Sequence, residues 1–438
     1  MLSKVLHLNF SSSEGGAARA ASRIHFCLQG SARDLGWQST FRALSGQSGG
    51  SGISVFPAER QSRIWRNARP RFANFRQRKW TTVNPVIHSI AWPDTGLGHE
   101  LETQYRSKKF NILNMHWLGN DTLSVEEIGR LSAPLVCTLH DQWYFLGAEH
   151  YVLPQSLFPG NLVKHRFECG YSKESCPSEE QLCDLNRWTW LRKKRSWQKP
   201  FTLVAPSQWM ADCAQMSCLM AGWPIYVIPN PLDLQRWSPL EKPLARQILG
   251  LPLTSPIILF GAMGGTNDPR KGGDLLISAL HHLLANWEHP DNLPNLVIFG
   301  EQTNSKVLDI GLPAHFLGPL HDDVSLRLAY SAADVMVVPS RLDNLPNTAT
   351  EAMACGTPVV SFRIGGLPEI IDHALNGMLV EPFEVLDLAR SINHVIKNPE
   401  ISTAMARKAR QKAKCSWGYE QIATLYSSVY TEVIESFS

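Results

Sequence analysis

No run in the 438-residue sequence approaches the roughly 18 consecutive apolar residues of a membrane-spanning helix. The opening stretch MLSKVLHLNF is too short and too strand-like for a signal peptide, so the expected compartment is the cytoplasm. Nine cysteines, an odd number and mostly scattered, fit reduced thiols there better than a disulfide framework. No Walker sequence and no complete G-x-G-x-x-G follows the first strand candidate, which removes the usual fingerprints of ATP and NAD. No D-x-D sequence offers carboxylates to a divalent ion on a diphosphate. Cys169, Cys176 and Cys183 recur at a spacing of seven, with His150 ahead of them. Zinc ligands more often come as closer C-x2–4-C pairs, so unlinked thiols are the stronger reading than a metal knuckle. Neither a metal nor a cofactor is expected.

What is present is a chain too long for one hydrophobic core, with 44% hydrophobic and 18% charged residues, and hence two globular domains. The formal charge of +3 conceals an asymmetry about Asn230. Residues 1–230 hold 26 Lys and Arg against 17 Asp and Glu, and the remainder holds 16 against 22. A basic first half suits solvated surface, or an anionic partner such as a lipid diphosphate or a membrane's inner face. Two segments concentrate this charge. Glu59 to Trp80 carries eight basic residues against one acid, and Asn186 to Lys199 sets Trp190 and Trp197 among six cations. For the second, peripheral contact with an anionic membrane stands beside plain packing under a solvated face. Nucleic acid is disfavoured, because the second half is acidic and no reading module appears.

Periodicity alternates between strand and helix throughout. Lys4 to Phe10 reads as a buried strand, Ser11 to Gly16 as a turn, and Ala17, Ala21, Ile24 and Leu28 as one face of a helix. Phe110 to Met115 and Leu135 to Leu139 are further strands, with a helix around Ser124 to Leu131 between them. Prolines at Pro229 and Pro231 open a linker extending to about Leu244. A second series then begins, with strands at Pro256 to Gly261, Leu296 to Gly300, Ala314 to Gly318, Val335 to Val338 and Pro358 to Phe362. Ile422, Leu425, Tyr426, Val429 and Val433 recur at helical spacing and close the chain. The expected class is α/β, two doubly wound Rossmann-like sheets.

The densest information lies in PSRLDNLPNTATEAMACGTPVVSFRIGGLPEII, from Pro339 to Ile371. Asp343 falls on the loop after a strand, and Glu351, eight residues on, in or near the first turn of a helix. Amides around Asn347 and Thr348 then face a diphosphate, while the carboxylates reach the hydroxyls of a sugar and a ribose. A helix-capping carboxylate is the plainer alternative for the spacing alone.

Pro339-Ser340, the acid at 343, Glu351 to Gly356, Thr357 to Val360 and Gly365-Gly366 together resemble the donor-binding signature of retaining glycosyltransferases of family 4. Asp343 stands where that family usually carries Glu, and Asn344-Leu345-Pro346 where it carries Gly-Phe-Gly, a variant similar to a branch that builds surface polysaccharides. The resemblance implies a GT-B architecture whose domains face one another across a cleft. Residues 1–228 would form the acceptor-side domain, 229–416 the nucleotide-sugar domain, and 417–438 a helix crossing back, seeded by Trp417 and Tyr419.

The same resemblance assigns roles. Lys271, in the loop after the Pro256 to Gly261 strand, would neutralise the leaving diphosphate, with Arg270 sharing the load because Gly265 stands where the family often has Arg. Gly15 and Gly16 would contact the donor, although a glycine pair before a helix more often serves only a tight turn. His140 is similar to the family's active-site histidine and would bind the donor sugar; His116 is a second candidate. Asp343 would meet sugar hydroxyls and Glu351 the ribose diol, with Leu345, Pro346, Asn347 and Thr348 as loop contacts. The implied activity is metal-independent, retaining hexosyl transfer from a nucleoside-diphosphate sugar to a glycan or lipid-linked hydroxyl, in surface polysaccharide assembly at the inner membrane face. An epimerase or phosphorylase of the same architecture and a silent sugar-nucleotide-binding subunit remain alternatives.

Overall fold

The computed structural model describes residues 2–31, 35–46, 48, 52–56, 88–152, 166–176, 184–261, 268–300 and 310–437. The basic segment from Glu59 to Trp80, Cys183 and Gly265 lie outside the described residues. The chain divides into two units, one of Met1–Pro231 with Tyr419–Ser438 and one of Leu232–Gly418.

The first unit is built on a parallel sheet of seven strands. They are β1 (Ser3–Ser11), β2 (Trp37–Ser45), β3 (Ile53–Val55), β4 (Ile112–Met115), β5 (Leu135–Thr138), β6 (Thr202–Ala205) and β7 (Ile225–Val227), in the order β3-β2-β1-β4-β5-β6-β7. Alternation sorts the side chains to two faces. Leu6, Leu8, Leu113, Met115 and Leu203 join one core, whereas Val5, Ile112, Val136 and Val204 pack under the helices Gly16–Ser31 and Tyr419–Phe437. The helix between β4 and β5 starts on a full capping box, Ser124 with Glu127.

The second unit repeats the design with β8 (Ile257–Gly261), β9 (Asn295–Phe299), β10 (Ala314–Gly318), β11 (Val335–Val338), β12 (Val359–Phe362) and β13 (Gly377–Val380). All pairings are parallel, in the order β10-β9-β8-β11-β12-β13. Both faces of β8, β9, β11 and β12 are covered, which is why these strands read as apolar runs.

Three expectations need correction. The linker does not run to Leu244: Leu232 and Trp237 are buried in the second core, and Lys242–Ile248 is helical. In the closing helix Leu425 is 40% exposed and Tyr430 is buried instead, because the apolar stripe turns with the 3.6-residue period. Trp190 and Trp197 are 2% and 4% exposed inside the first core, so neither offers an indole to a membrane. Of the six cations around them, Arg192 and Lys193 are buried too, Lys193 donating to the carbonyls of Trp143, Leu146 and Gly147.

Candidate active site

In the second sheet the strand order reverses between β8 and β11, and ligands of open α/β sheets bind beyond the carboxyl ends of the strands at such a point. After β8, Asp268 caps the short turn Pro269–Lys271 by accepting from the Arg270 amide at 2.9 Å. Gly272 follows with φ 67°, and a Cβ there would stand 1.9 Å from the Pro339 carbonyl oxygen after β11. Only glycine allows the two loops to touch in this way. Arg341 then staples them. Its amide donates to the Arg270 carbonyl at 2.8 Å, and its guanidinium donates to the Pro269 carbonyl at 2.8 Å and to both oxygens of Asp274 at 2.7 and 2.6 Å.

This scaffold brings together three of the residues named from sequence. Lys271 Nζ donates to Asp343 Oδ2 at 2.6 Å, Ser340 Oγ donates to the same oxygen at 3.2 Å, and the Arg270 guanidinium lies 4.0 Å from Asp343 Oδ1. Burial alone would raise the Asp343 carboxyl, but the Lys271 and Arg270 charges and the two hydrogen bonds outweigh it and hold it below the usual carboxylate range. For Lys271, burial lowers the ammonium below its usual value, with Arg270 adding to the effect and Asp343 opposing it. From the other side Gly365, at φ 55°, presses its backbone on Asp343: a Cβ there would lie 1.9 Å from the Asp343 carbonyl oxygen. Gly366 donates to that oxygen at 3.2 Å.

Glu351 lies on the helix that follows Asp343. The helix begins at Asn347, after Pro346, whose φ of −63° suits a helix entry. Glu351 therefore falls in the second turn, 1% exposed, where Tyr330 donates its phenol to Oε2 at 2.8 Å. Leu345 and Pro346 are buried, Leu345 within the second core. Asn347 and Thr348 open the helix, half-buried.

The first unit has its own reversal, between β1 and β4. Gly15 takes φ 96° after β1, and its carbonyl accepts from Arg19 at 3.0 Å to close the first helical turn that Gly16 begins. His140 follows β5 and His116 follows β4, and the two are joined: His116 Nδ1 and His140 Nε2 are 3.0 Å apart. His116 Nε2 meets His7 Nδ1 at 2.8 Å, a partner in β1 that the sequence reading did not single out. Burial lowers all three imidazoles, His140 to about 4. Beyond them His150 bonds Asp141 at 2.6 Å and Ser89 Oγ at 2.8 Å. With all three buried, this set holds the loop after β5, and His150 is not a partner for Cys169 or Cys176. Among the described residues no group of three His, Cys, Asp or Glu side chains is placed to hold a metal ion.

The comparisons with known proteins follow this geometry. The family described as glycosyl transferases group 1 matches residues 241–412. D-inositol 3-phosphate glycosyltransferases from Saccharomonospora viridis and Actinosynnema mirum are 31% and 32% identical over 221 and 232 residues. These matches take in 47% and 49% of this chain and 49% and 54% of the relatives, so the chain spans about half the length of the curated relatives it matches. Among solved structures, sucrose-phosphate synthase from Thermosynechococcus elongatus superposes with a TM-score of 0.64 at 18% identity, over 99% of this chain and all (100%) of that one. HepE of Anabaena, solved with UDP and glucose, superposes at 0.63 and 18%, over 98% and 99%. WaaG, a glycosyltransferase involved in lipopolysaccharide biosynthesis, superposes at 0.62 and 16%, over 97% and 99%. The likeness to these structures shows the GT-B fold, and residues 241–412, which hold Arg270, Lys271, Asp343 and Glu351, are the part that matches the glycosyl transferases group 1 family.

Proposed function

We propose that this protein moves a hexose from a nucleoside-diphosphate sugar to a hydroxyl of a glycan or lipid-linked acceptor, with retention and without a metal ion. The observation that carries the reading is the Lys271–Asp343 pair, flanked by Arg270, at the reversal point of a group 1 domain.

As the bond from the anomeric carbon to the β-phosphate oxygen breaks, negative charge grows on the diphosphate. Lys271 and Arg270 are fixed cations ready to meet it, and preorganised charges of this kind contribute about 3 to 4 kcal/mol each in a water-poor site. They supply the charge that a divalent ion would otherwise bring, so chelator should leave turnover intact. Full loss in chelator would overturn that part. Asp343, held ionised well into acid, is a weak base but a strong acceptor for donor-sugar hydroxyls. With no strong carboxylate base at the pair, transfer on one face suits it: the acceptor oxygen bonds the anomeric carbon while its proton passes to the departing phosphate oxygen.

The likeness to D-inositol 3-phosphate glycosyltransferases sets an inositol phosphate beside glycans as a second acceptor. Surface polysaccharide assembly on the cytoplasmic side remains the broader setting proposed from the Asn344-Leu345-Pro346 variant. No helix among the described residues is long and apolar enough to cross a membrane, which leaves a lipid-linked acceptor to come to the protein.

A thermal-shift screen of UDP-, GDP- and ADP-sugars is the first test, since a ligand at 100 times its Kd adds about 2.7 kcal/mol. Release of nucleoside diphosphate on adding acceptor, with the donor's anomeric configuration preserved in the product, supports the reading. Tight binding without turnover would favour a silent subunit, and sugar-nucleotide isomerisation without acceptor an epimerase.

A further inference from the structure

One face of the first sheet carries a polar stripe that the fold does not require. Val5, Ile112 and Val136 pack beneath the two helices, and two and four residues beyond each come His7 and Asn9, Asn114 and His116, Thr138 and His140. In the parallel register His7 pairs with Asn114, and Asn114 with Val136. The three histidines therefore step diagonally from beneath the sheet to its carboxyl edge. His7 and His116 stack with ring centroids 5.1 Å apart, and His116 and His140 at 5.2 Å. Their nitrogens are 2.8 and 3.0 Å apart. Around them, Asn114 is committed to Tyr430 and Thr138, and His25, edge-on to His7, bonds Ser39.

We propose that His7 and His116 are positioning residues that fix which nitrogen of His140 carries its proton. Burial keeps the three imidazoles neutral, one N–H each. Two hydrogen bonds through a neutral His116 require the protons to run one way along the chain. Outward, His7 Nδ1–H donates to His116 Nε2, His116 Nδ1–H donates to His140 Nε2, and His140 is protonated on Nδ1. Inward, each bond reverses and His7 must carry its proton on Nε2. That nitrogen is buried with no hydrogen-bond partner among the described residues. An orphaned N–H is the rarer and costlier of the two dead ends, so a bare lone pair belongs there and the chain runs outward. His140 then acts through Nδ1 as a hydrogen-bond donor, suited to a hydroxyl or phosphate oxygen, and cannot take a proton on that atom.

The kinetic consequence rests on the glycosyl-transfer reading; the tautomer does not. Long-range 1H–15N spectra of unliganded protein labelled at histidine should show His140 protonated on Nδ1 and bare on Nε2. Protonation on Nε2 overturns the proposal. In His7→Phe the anchor is gone, the remaining pair can reverse, and the Nδ1–H form should fall. With a donor and acceptor that turn over, kcat should drop about tenfold, the scale of one hydrogen bond, while donor KM stays within about twofold. His7→Asn places an amide N–H near the lost Nδ1 and should restore both the tautomer and kcat. If His7→Phe and His7→Asn depress kcat alike with the His140 tautomer unmoved, the stripe is packing only and the proposal fails. If His7→Phe does not fold, the unsubstituted protein and His7→Asn decide. The stated tautomer without transfer from any donor would sink the glycosyl-transfer reading and leave the imidazole chain standing.

Discussion

The two sheets share a strand order about their central pair, yet their reversal points are chemically opposite. Between β8 and β11 a lysine and an aspartate meet as full charges, 20% and 10% exposed in their side chains and steadied by an arginine. Between β1 and β4 the polar groups are imidazoles and amides, buried and uncharged. The topology supplies a crevice in both cases and nothing more. A charged pair can answer a diphosphate, whose charge rises in the transition state. A neutral imidazole chain can orient a hydroxyl but cannot neutralise charge. The difference teaches that the same strand reversal can carry fixed charge in one unit and a neutral hydrogen-bonded chain in the other.

The largest effect should come from breaking the charged side of this contrast. Lys271→Met should lower kcat at least about a hundredfold, the scale of a lost electrostatic contact in the transition state. It also strands Asp343, at a stability cost of about 3 to 5 kcal/mol in urea titrations, less what Arg270 and Ser340 recover. Adding Asp343→Leu should return most of the stability and none of the activity. A double variant recovering both would make the pair purely structural. Gly365→Ala comes next. Its Cβ would stand 1.9 Å from the Asp343 carbonyl oxygen at a positive φ, so the loop must move at a cost of about 2 to 3 kcal/mol. Activity should fall with it, because Asp343 moves as well. An unchanged melting temperature would show that the Gly365 contact does not constrain Asp343.

Much of the scaffold was legible because buried parallel strands read as apolar runs. β1, β4, β5 and β8 to β12 all lie under segments visible that way. β2 escaped because polar residues interrupt WQSTFRALS and leave no apolar run, and β3 and β7 because three residues carry no period; β6 and β13 are as short as the strands that were read. Lys271 and Asp343 were each legible from local motifs. Their 2.6 Å contact was not, since 72 residues separate them and Gly272 and Arg341, which bring the loops together, look ordinary in sequence. Glu351 was legible from its spacing after Asp343, but its bond from the Tyr330 phenol, 21 residues away in sequence, was not. His7 had a readable signal, an apolar residue followed two and four positions later by polar ones in three strands, but such repetition has meaning only once the strands are known to be neighbours.

The neutral side of the contrast makes the smallest prediction and a directly testable one, in the pH dependence of stability. His7, His116 and His140 have folded values below the ordinary 6.5, to about 4 for His140, whereas the unfolded chain restores them to 6.5. Between the folded values and 6.5 the unfolded state binds more protons than the folded one, so stability rises with pH there and is lost as pH falls. Each fully neutral imidazole contributes at most about 1.36 kcal/mol per pH unit. Across pH 7 to 6, where an unfolded histidine is only partly titrated, three together should cost about 2 kcal/mol. Urea midpoints at the two pH values measure this, and replacing one histidine should remove about a third of the slope. A flat profile would mean that the imidazoles take up protons in the folded protein as readily as in the unfolded chain. The first unit would then carry positive charge at its reversal point, and the contrast with Lys271 would collapse.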